Sequence, residues 1–292
     1  MPAAERVLYW KSRLVEEETL DLINVNRETC SRCGACAAVC PDGLIEFTPK
    51  TFPNPSRRAE LLCLSCGHCV AVCPRGSLSH RYVPLESCAP LNPDLAVNPE
   101  QCRQLLTGRR SVRRYQRKPV PREEITRLIE IARHAPTGHN NQEVEWLVLD
   151  KRSELQQIEE AGTGWLKWNI ANQPKYAALL NMEGTLERQA KRAESFLRGA
   201  PALVVATAAK DNRIALIDSS IALSFLDLAA QSHGLGCCWA GLVYAMAQSY
   251  APVQKIIALP EGEAVYGCMM LGYPQYRYFR IPARKEARIL WH

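Results

Sequence analysis

The chain has 292 residues, 47% of them hydrophobic and 23% charged, a balance that supports a folded core, fits two domains, and excludes wholesale disorder and fibrous architectures. The formal charge is +6, from 36 Lys and Arg against 30 Asp and Glu. Six of those bases (Arg109, Arg110, Arg113, Arg114, Arg117 and Lys118) share one short stretch, which suits a small anion better than a nucleic acid, and no apolar run approaches the roughly 18 residues that span a bilayer.

In chain order, the opening MPAAERVLYWKSRLVEEETL places acids and bases where a signal peptide needs an apolar core, so a cytoplasmic protein is expected. Eight of the 13 cysteines follow in two copies of one pattern. The first is Cys30-x2-Cys33-x2-Cys36-x3-Cys40-Pro41, and the second is Cys63-x2-Cys66-x2-Cys69-x3-Cys73-Pro74. Over residues 30–43 and 63–76, nine of fourteen positions agree. A reducing compartment argues against disulfides. Structural zinc has no need of a third cysteine at the same spacing, so it remains only the bland alternative. Three closely spaced thiolates on a tight loop suit three corners of an iron–sulfur cube, with the cysteine before proline reaching the other cube.

Residues 24 to 79 resemble the bacterial two-cluster ferredoxins over their whole length, including Gly34 and Gly67 after the second cysteine, where a side chain is expected to crowd the cluster. The resemblance implies two [4Fe-4S] clusters, one on Cys30, Cys33, Cys36 and Cys73, the other on Cys63, Cys66, Cys69 and Cys40. His68 lies between Cys66 and Cys69, but thiolates already fill every position, so a surface place or a contact behind the ligands is expected. Cys88, Cys102, Cys237, Cys238 and Cys268 share no ligand spacing and read as ordinary buried or linker thiols.

Pro84, Pro90, Pro93 and Pro99 without sustained periodicity mark an extended connector. The expected division is a ferredoxin-like domain over 1–80, a connector over 81–104 and a second domain over 105–292. In that domain, residues 121 to 134 read as a helix opened by Pro121, Glu123 and Glu124. Residues 146 to 149, 203 to 207 and 265 to 271 read as strands, and residues 154 to 160 and 188 to 197 as helices with charged faces. Residues 214 to 233 form a mostly apolar helix stopped by Gly234, expected at the centre of the domain or of a subunit interface. The order is mixed α+β. No G-x-G-x-x-G follows a strand, and Gly162-Thr163-Gly164 is too short to count. A P-loop, a G-x-S-x-G elbow and an H-E-x-x-H helix are also missing, which leaves redox chemistry.

Four segments carry the rest. TGRRSVRRY offers Arg109, Arg110, Ser111 and Arg113, whose guanidinium forks suit the paired oxygens of a phosphate. APTGHNNQ offers Pro136, Thr137, Gly138 and Asn140 in a turn without bulky residues; GLGCCWAG offers Trp239, Ala240 and Gly241; and LGYPQYRYFRIPARKE offers Arg280, Arg284 and Lys285. In order and spacing these segments resemble the FMN-dependent nitroreductase family. That resemblance implies an α+β domain with a mostly antiparallel sheet flanked by helices, and a homodimer. It also implies a flavin phosphate held by the first and last segments, and a ring contacted by Trp239, Ala240 and Gly241. The 136–140 loop would come from the partner subunit, with Gln142 matching, and with Asn141 and Glu143 departing from the family's Ser and Pro.

Clusters pass single electrons and a flavin exchanges one or two. The combination therefore implies that the clusters feed FMN, which reduces a small organic acceptor such as a nitroaromatic or a quinone. The alternative is an electron-transfer flavoprotein running between NAD(P)H and an external ferredoxin, without an organic substrate of its own. A flavin-fragmenting or dehalogenating enzyme and a nucleic-acid-binding iron–sulfur protein are the remaining readings, the last disfavoured by the compact basic cluster. His134, His139 and His233 are proton-donor candidates by residue type alone, and each is expected to be structural.

Overall fold

The computed structural model describes residues 21–191 and 196–292. The opening twenty residues lie outside the described residues. The chain divides into two units, the first running up to Ala96 and including Thr137–Asn141, the second formed by Val97–Pro136 and Gln142–His292.

The first unit is built twice from one plan. Strand β1 (Ile23–Val25), helix α1 (Ala35–Ala38) and strand β2 (Ile45–Glu46) are followed by β3 (Asn54–Pro55), α2 (Ala59–Leu62), α3 (His68–Ala71) and β4 (Leu78–His80). β1 pairs antiparallel with β4, placing Ile23 opposite His80, and β2 pairs antiparallel with β3. The two halves share their backbone as well as their cysteines. Left-handed residues recur at Arg32 and Ser65 (φ 52° and 51°), at Gly34 and Gly67 (76° and 72°), and at Gly43 and Gly76 (60° and 57°). Each pair is 33 residues apart, the same offset that separates Cys30 from Cys63. Left-handed backbone is costly for a residue with a Cβ, so its repetition at matched positions shows that both loops are bent to one geometry. Small apolar clusters around Ile23, Val70 and Leu78, and around Leu22, Leu44 and Ala59, close the unit.

The second unit begins earlier than the proline-rich stretch suggests. Helix α4 spans Pro99–Gly108, with Pro99 in its first turn, and Asn98 and Gln101 form a reciprocal capping box. Those are helix-start signals, and they overrule the expected connector from Asn98 onward. Next come α5 (Arg122–Ala132), β5 (Glu145–Leu149), α6 (Arg152–Asn172), α7 (Pro174–Leu179) and α8 (Met182–Lys191). They are followed by β6 (Ala202–Ala209), α9 (Ala215–Ser232), β7 (Gly236–Trp239), α10 (Gly241–Ser249), α11 (Ala251–Ile257) and β8 (Glu263–Gly272). The sheet is wholly antiparallel, in the order β5-β6-β8-β7.

β6 is buried on both faces and its side chains alternate between two cores. Leu203 and Val205 join the α6, α10 and α11 side, whereas Ala202, Val204 and Ala206 join α5 and α9. This is the period-two division of a strand clamped between helical layers, and each large apolar side chain so buried contributes roughly 1.5–3 kcal/mol. The apolar α9 lies in this interior, with Leu223 and Leu226 fully buried.

Two helix expectations need correction. The 154–160 helix is part of the much longer α6, which continues through Gly162 and Gly164, where a larger side chain would strike Phe196 or the Tyr250 hydroxyl. The 188–197 helix is α8, which begins at Met182; residues 192–195 lie outside the described residues. Phe196 and Leu197 are not helical, since the buried Glu159 carboxylate accepts both their backbone N–H groups at 3.1 and 2.7 Å. Among the described residues no helix is long and apolar enough to cross a membrane.

Candidate functional site

In the first unit, Cys36 has Cys30 and, from the other repeat, Cys73 close by, and Cys40 shares a cavity lining with Cys63, Cys66 and Cys69. Burial raises the Cys36 thiol, and Cys73 and Cys30 add to the effect. Cys73, from the far end of the second repeat, is therefore an electrostatic neighbour of the first. Burial likewise pushes the Cys69 thiol up to about 11, with Cys63 and Cys66 contributing. Backbone N–H groups point at the sulfurs: Leu44 donates to Cys40 at 3.3 Å, its counterpart Ser77 to Cys73 at 3.2 Å, and Ser65 to Cys63 at 3.4 Å. The exposed Cys33 thiol is lowered, first by the backbone at Ala35.

These features fit iron–sulfur clusters. The donor set is all thiol, and N–H groups are aimed at sulfur, the pattern that tunes such clusters. The Ser65 hydroxyl is buried without a hydrogen-bond partner beside Cys66. Among the described residues no three His, Cys, Asp or Glu groups converge as around a single ion. A Cβ at Gly34 would lie 2.6 Å from the Phe47 ring, which by itself calls for glycine there. His68 is exposed.

In the second unit, the two ends of the domain meet. Val112 donates to the Cys237 carbonyl of β7 at 2.8 Å, Gln116 to Tyr273 at 2.9 Å, and Gln275 to Arg114 at 3.0 Å. This lacing stitches the basic segment to β7 and to the chain leaving β8. Gly236 is required where they cross, since a Cβ would drive into Val112 and Pro274. The result is a cavity of about 200 Å³ lined by Arg109, Arg110, Ser111, Arg113, Tyr278 and Arg284. Arg110 is folded back on the Gly108 and Thr107 carbonyls. Arg280 and Lys285 are exposed on the same extended tail and do not line the cavity.

Trp239 is 43% exposed at the end of β7, Ala240 is buried with its N–H on the Cys268 carbonyl, and Gly241 opens α10 with free space where a side chain would be. Of the 136–140 loop, Pro136 falls in the second unit and the rest in the first. There the Asn140 amide donates to the Leu64 and Ser65 carbonyls, both at 3.2 Å. His139, Asn140 and Gln142 all take left-handed backbone, an unusual density of strain for residues other than glycine.

The model of the nitroreductase family matches residues 106–273. The chain belongs to the nitroreductase family. A 4Fe-4S dicluster domain matches residues 29–77, so a ferredoxin domain precedes the nitroreductase domain in one chain. A protein of Archaeoglobus fulgidus provisionally named an NADH dehydrogenase/NAD(P)H nitroreductase is 24% identical over 60% of this chain and 87% of its own. A like-named protein of Methanothermobacter thermautotrophicus is 26% identical over 57% and 73%. Among solved structures, a nitroreductase with bound FMN from Bacteroides fragilis aligns with a TM-score of 0.55 at 22% identity, covering 66% of this chain and 98% of that one. These likenesses place the second unit in the nitroreductase fold.

Two residues of this nitroreductase-family chain carry no signal in the sequence. Asp227 of α9 accepts from the cavity-lining Arg109 at 3.3 Å. Burial raises its carboxyl, with Arg109 opposing the rise. His80, at the end of β4, lies 3.4 Å from the Cys63 sulfur. Neither is near its partner in sequence. Of the remaining thiols, burial lifts Cys237 well above its ordinary value, raises Cys238, and pushes Cys268 up to about 12, whereas Cys88 is half-buried and Cys102 is exposed on α4. His134 and His139 are exposed, whereas His233 joins α9 to α5 through Glu124 at 3.0 Å.

Proposed function

We propose that this chain is an FMN-dependent iron–sulfur oxidoreductase that reduces a small organic acceptor, such as a nitroaromatic or a quinone, with electrons delivered through two [4Fe-4S] clusters. The observation that carries the reading is the cavity in which Arg109, Arg113 and Arg284, from opposite ends of one domain, converge with Ser111. Three guanidinium groups around a space of that size suit a phosphate monoester, which carries about two negative charges at neutral pH. In relatives such as the Bacteroides fragilis protein the bound group is FMN.

Arg109, Arg113, Arg284 and Ser111 would hold the phosphate, with Arg110 and Arg280 as outer charges, and Trp239, Ala240 and Gly241 would border the ring. Pro136, Thr137, Gly138 and Asn140 would form the loop that meets it. Cys30, Cys33, Cys36 and Cys73 would hold one cluster and Cys63, Cys66, Cys69 and Cys40 the other. Bound there, the clusters supply one-electron steps and FMN the exchange between one and two electrons. The protein's part is to aim N–H groups at the sulfurs, to fix the phosphate, and to leave open space at Gly241 for an acceptor.

The proposed assembly is a cytoplasmic homodimer, organised as ferredoxin-like domain, connector and nitroreductase-like domain. Leu216, Ile217 and Phe225 leave α9 at 52, 61 and 38% exposure, and α4 buries no residue at all. Apolar helical surface of that kind marks an association face. The donor is proposed to be a reduced ferredoxin, with NAD(P)H as the competing source.

Anaerobic purification with iron and flavin assays tests the reading. About eight irons, by the two-cube count, and one FMN per chain are expected, with faster flavin reduction by reduced ferredoxin than by NADPH. A colourless protein, or one with flavin and no iron, overturns it.

A further inference from the structure

The two cysteine repeats match in spacing, in left-handed turns and in the N–H bonds to Cys40 and Cys73, but they differ at the Cys63 sulfur, which receives the Ser65 N–H and a side-chain contact that, among the described residues, Cys30 lacks. His80 stands 33 positions after Phe47, the same offset that relates the two repeats, so a donor in one repeat corresponds in sequence to a hydrocarbon ring in the other, the Phe47 ring lying against Gly34. His80 is 2% exposed, and its Nε2 lies 3.4 Å from the Cys63 sulfur. The Tyr82 backbone N–H donates to its Nδ1 at 3.1 Å. Because a backbone N–H only donates, Nδ1 is the unprotonated nitrogen and Nε2 carries the proton toward sulfur. Phe47 has no donor to offer, and among the described residues the Cys30 sulfur receives no comparable bond.

We infer that His80 is a positioning residue that makes the two clusters unequal, raising the reduction potential of the one held by Cys63 above that of the one held by Cys30. The inference rests on the proposed ligand sets. Reduction adds one negative charge to a cluster and its thiolates, and a hydrogen bond to sulfur favours the more negative state. A single electron shared between the sets therefore settles on the Cys63 set: one cluster loses the electron that the other gains, and no proton moves. The same set owns the Leu64–Ser65 backbone that receives Asn140, so the bias gives the pair of clusters a direction.

The test is a spectroelectrochemical titration of the holoprotein with both cluster signals followed by EPR. The wild type is expected to show two separated midpoints. His80→Phe is expected to lower one of them alone, by about tenfold in the electron equilibrium or ~59 mV for a one-electron couple, with the iron content unchanged. Phe47→His, which places a donor in the other repeat, is expected to raise the other midpoint and narrow the gap. It decides the matter if His80→Phe fails to load iron. Eight irons with midpoints that neither substitution moves, or that His80→Phe moves together, overturn the role of His80 while leaving the two-cluster reading intact. A wild type that binds no cluster overturns both.

Discussion

The Arg109 guanidinium donates to Oδ2 of Asp227 at 3.3 Å, joining residues 118 positions apart. Arg109 heads the basic segment and Asp227 lies in the C-terminal half of α9, so the long apolar helix fixes where one phosphate-binding fork points. Replacing Asp227 by Asn keeps the shape and removes the charge that orients Arg109. FMN affinity is expected to fall by about tenfold, near 1.4 kcal/mol, measured by fluorescence quenching during flavin titration, with the fold unchanged by circular dichroism.

The same carboxylate sets a pH dependence with an unusual sign. Burial raises the Asp227 pKa above its ordinary value despite Arg109, so the folded chain takes up this proton before the unfolded chain does. Its contribution to stability is fully present below the unfolded pKa and is lost as pH rises through the raised folded value. As pH rises from below the ordinary carboxylate pKa through the raised folded value, Asp227→Asn is therefore expected to gain in Tm relative to wild type. Differential scanning calorimetry of the two proteins at several pH values reads this directly, and a difference that shrinks with rising pH would contradict it.

Gly236→Ala places a methyl group against Val112 and Pro274 at the lacing of β7 to the basic segment. Overpacking of this kind costs roughly 1–3 kcal/mol. The Val112 to Cys237 hydrogen bond is expected to loosen with it, so both Tm and FMN retention should fall. In contrast, Gly241→Ala, where nothing lies within 4 Å of the added carbon, is expected to leave Tm within experimental error.

Spacing and periodicity made the cysteine sets and the core elements of the second domain legible, because both are local. Eight thiols at fixed intervals and the apolar period of α5, β6, α9 and β8 need no knowledge of distant residues. The capping signals of α4 were equally local, but the prolines around them concealed the helix. What could not be read is what the fold brings together. Asp227, His80 and Glu159 are unremarkable in sequence, and acquire roles from partners 118, 17 and 38 positions away. Arg284 and Arg280 look alike on paper, and only the path of the tail separates the one that lines the cavity from the one that does not.

Asn140 ties its strained loop to the backbone between Cys63 and Cys66 with two hydrogen bonds. Asn140→Ala removes both, at about 1 kcal/mol each, and also gives up the side chain that tolerates left-handed backbone best. Hydrogen exchange is expected to rise over residues 137 to 141 and over 64 to 66 together. Asn140→Asp, which sets a carboxylate against two carbonyl oxygens, is expected to do more damage than Ala. Exchange that rises in the loop alone would show that the two segments are not coupled.

The outward face of α9 is the proposed subunit contact. Ile217 and Phe225 are exposed on the same side of a helix whose inner face holds Leu223 and Leu226, so substitutions there alter the surface and spare the core. Ile217→Lys with Phe225→Lys puts two charges into a proposed subunit contact, where each desolvated and unpaired ammonium costs several kcal/mol. Sedimentation velocity is expected to show a monomer in place of a dimer. If the flavin site draws on both subunits, FMN should be lost in the same variant while its iron content is retained. A double variant that stays dimeric and keeps its flavin would move the contact to another face, the exposed α4 with Leu105 and Leu106 being the next surface to charge.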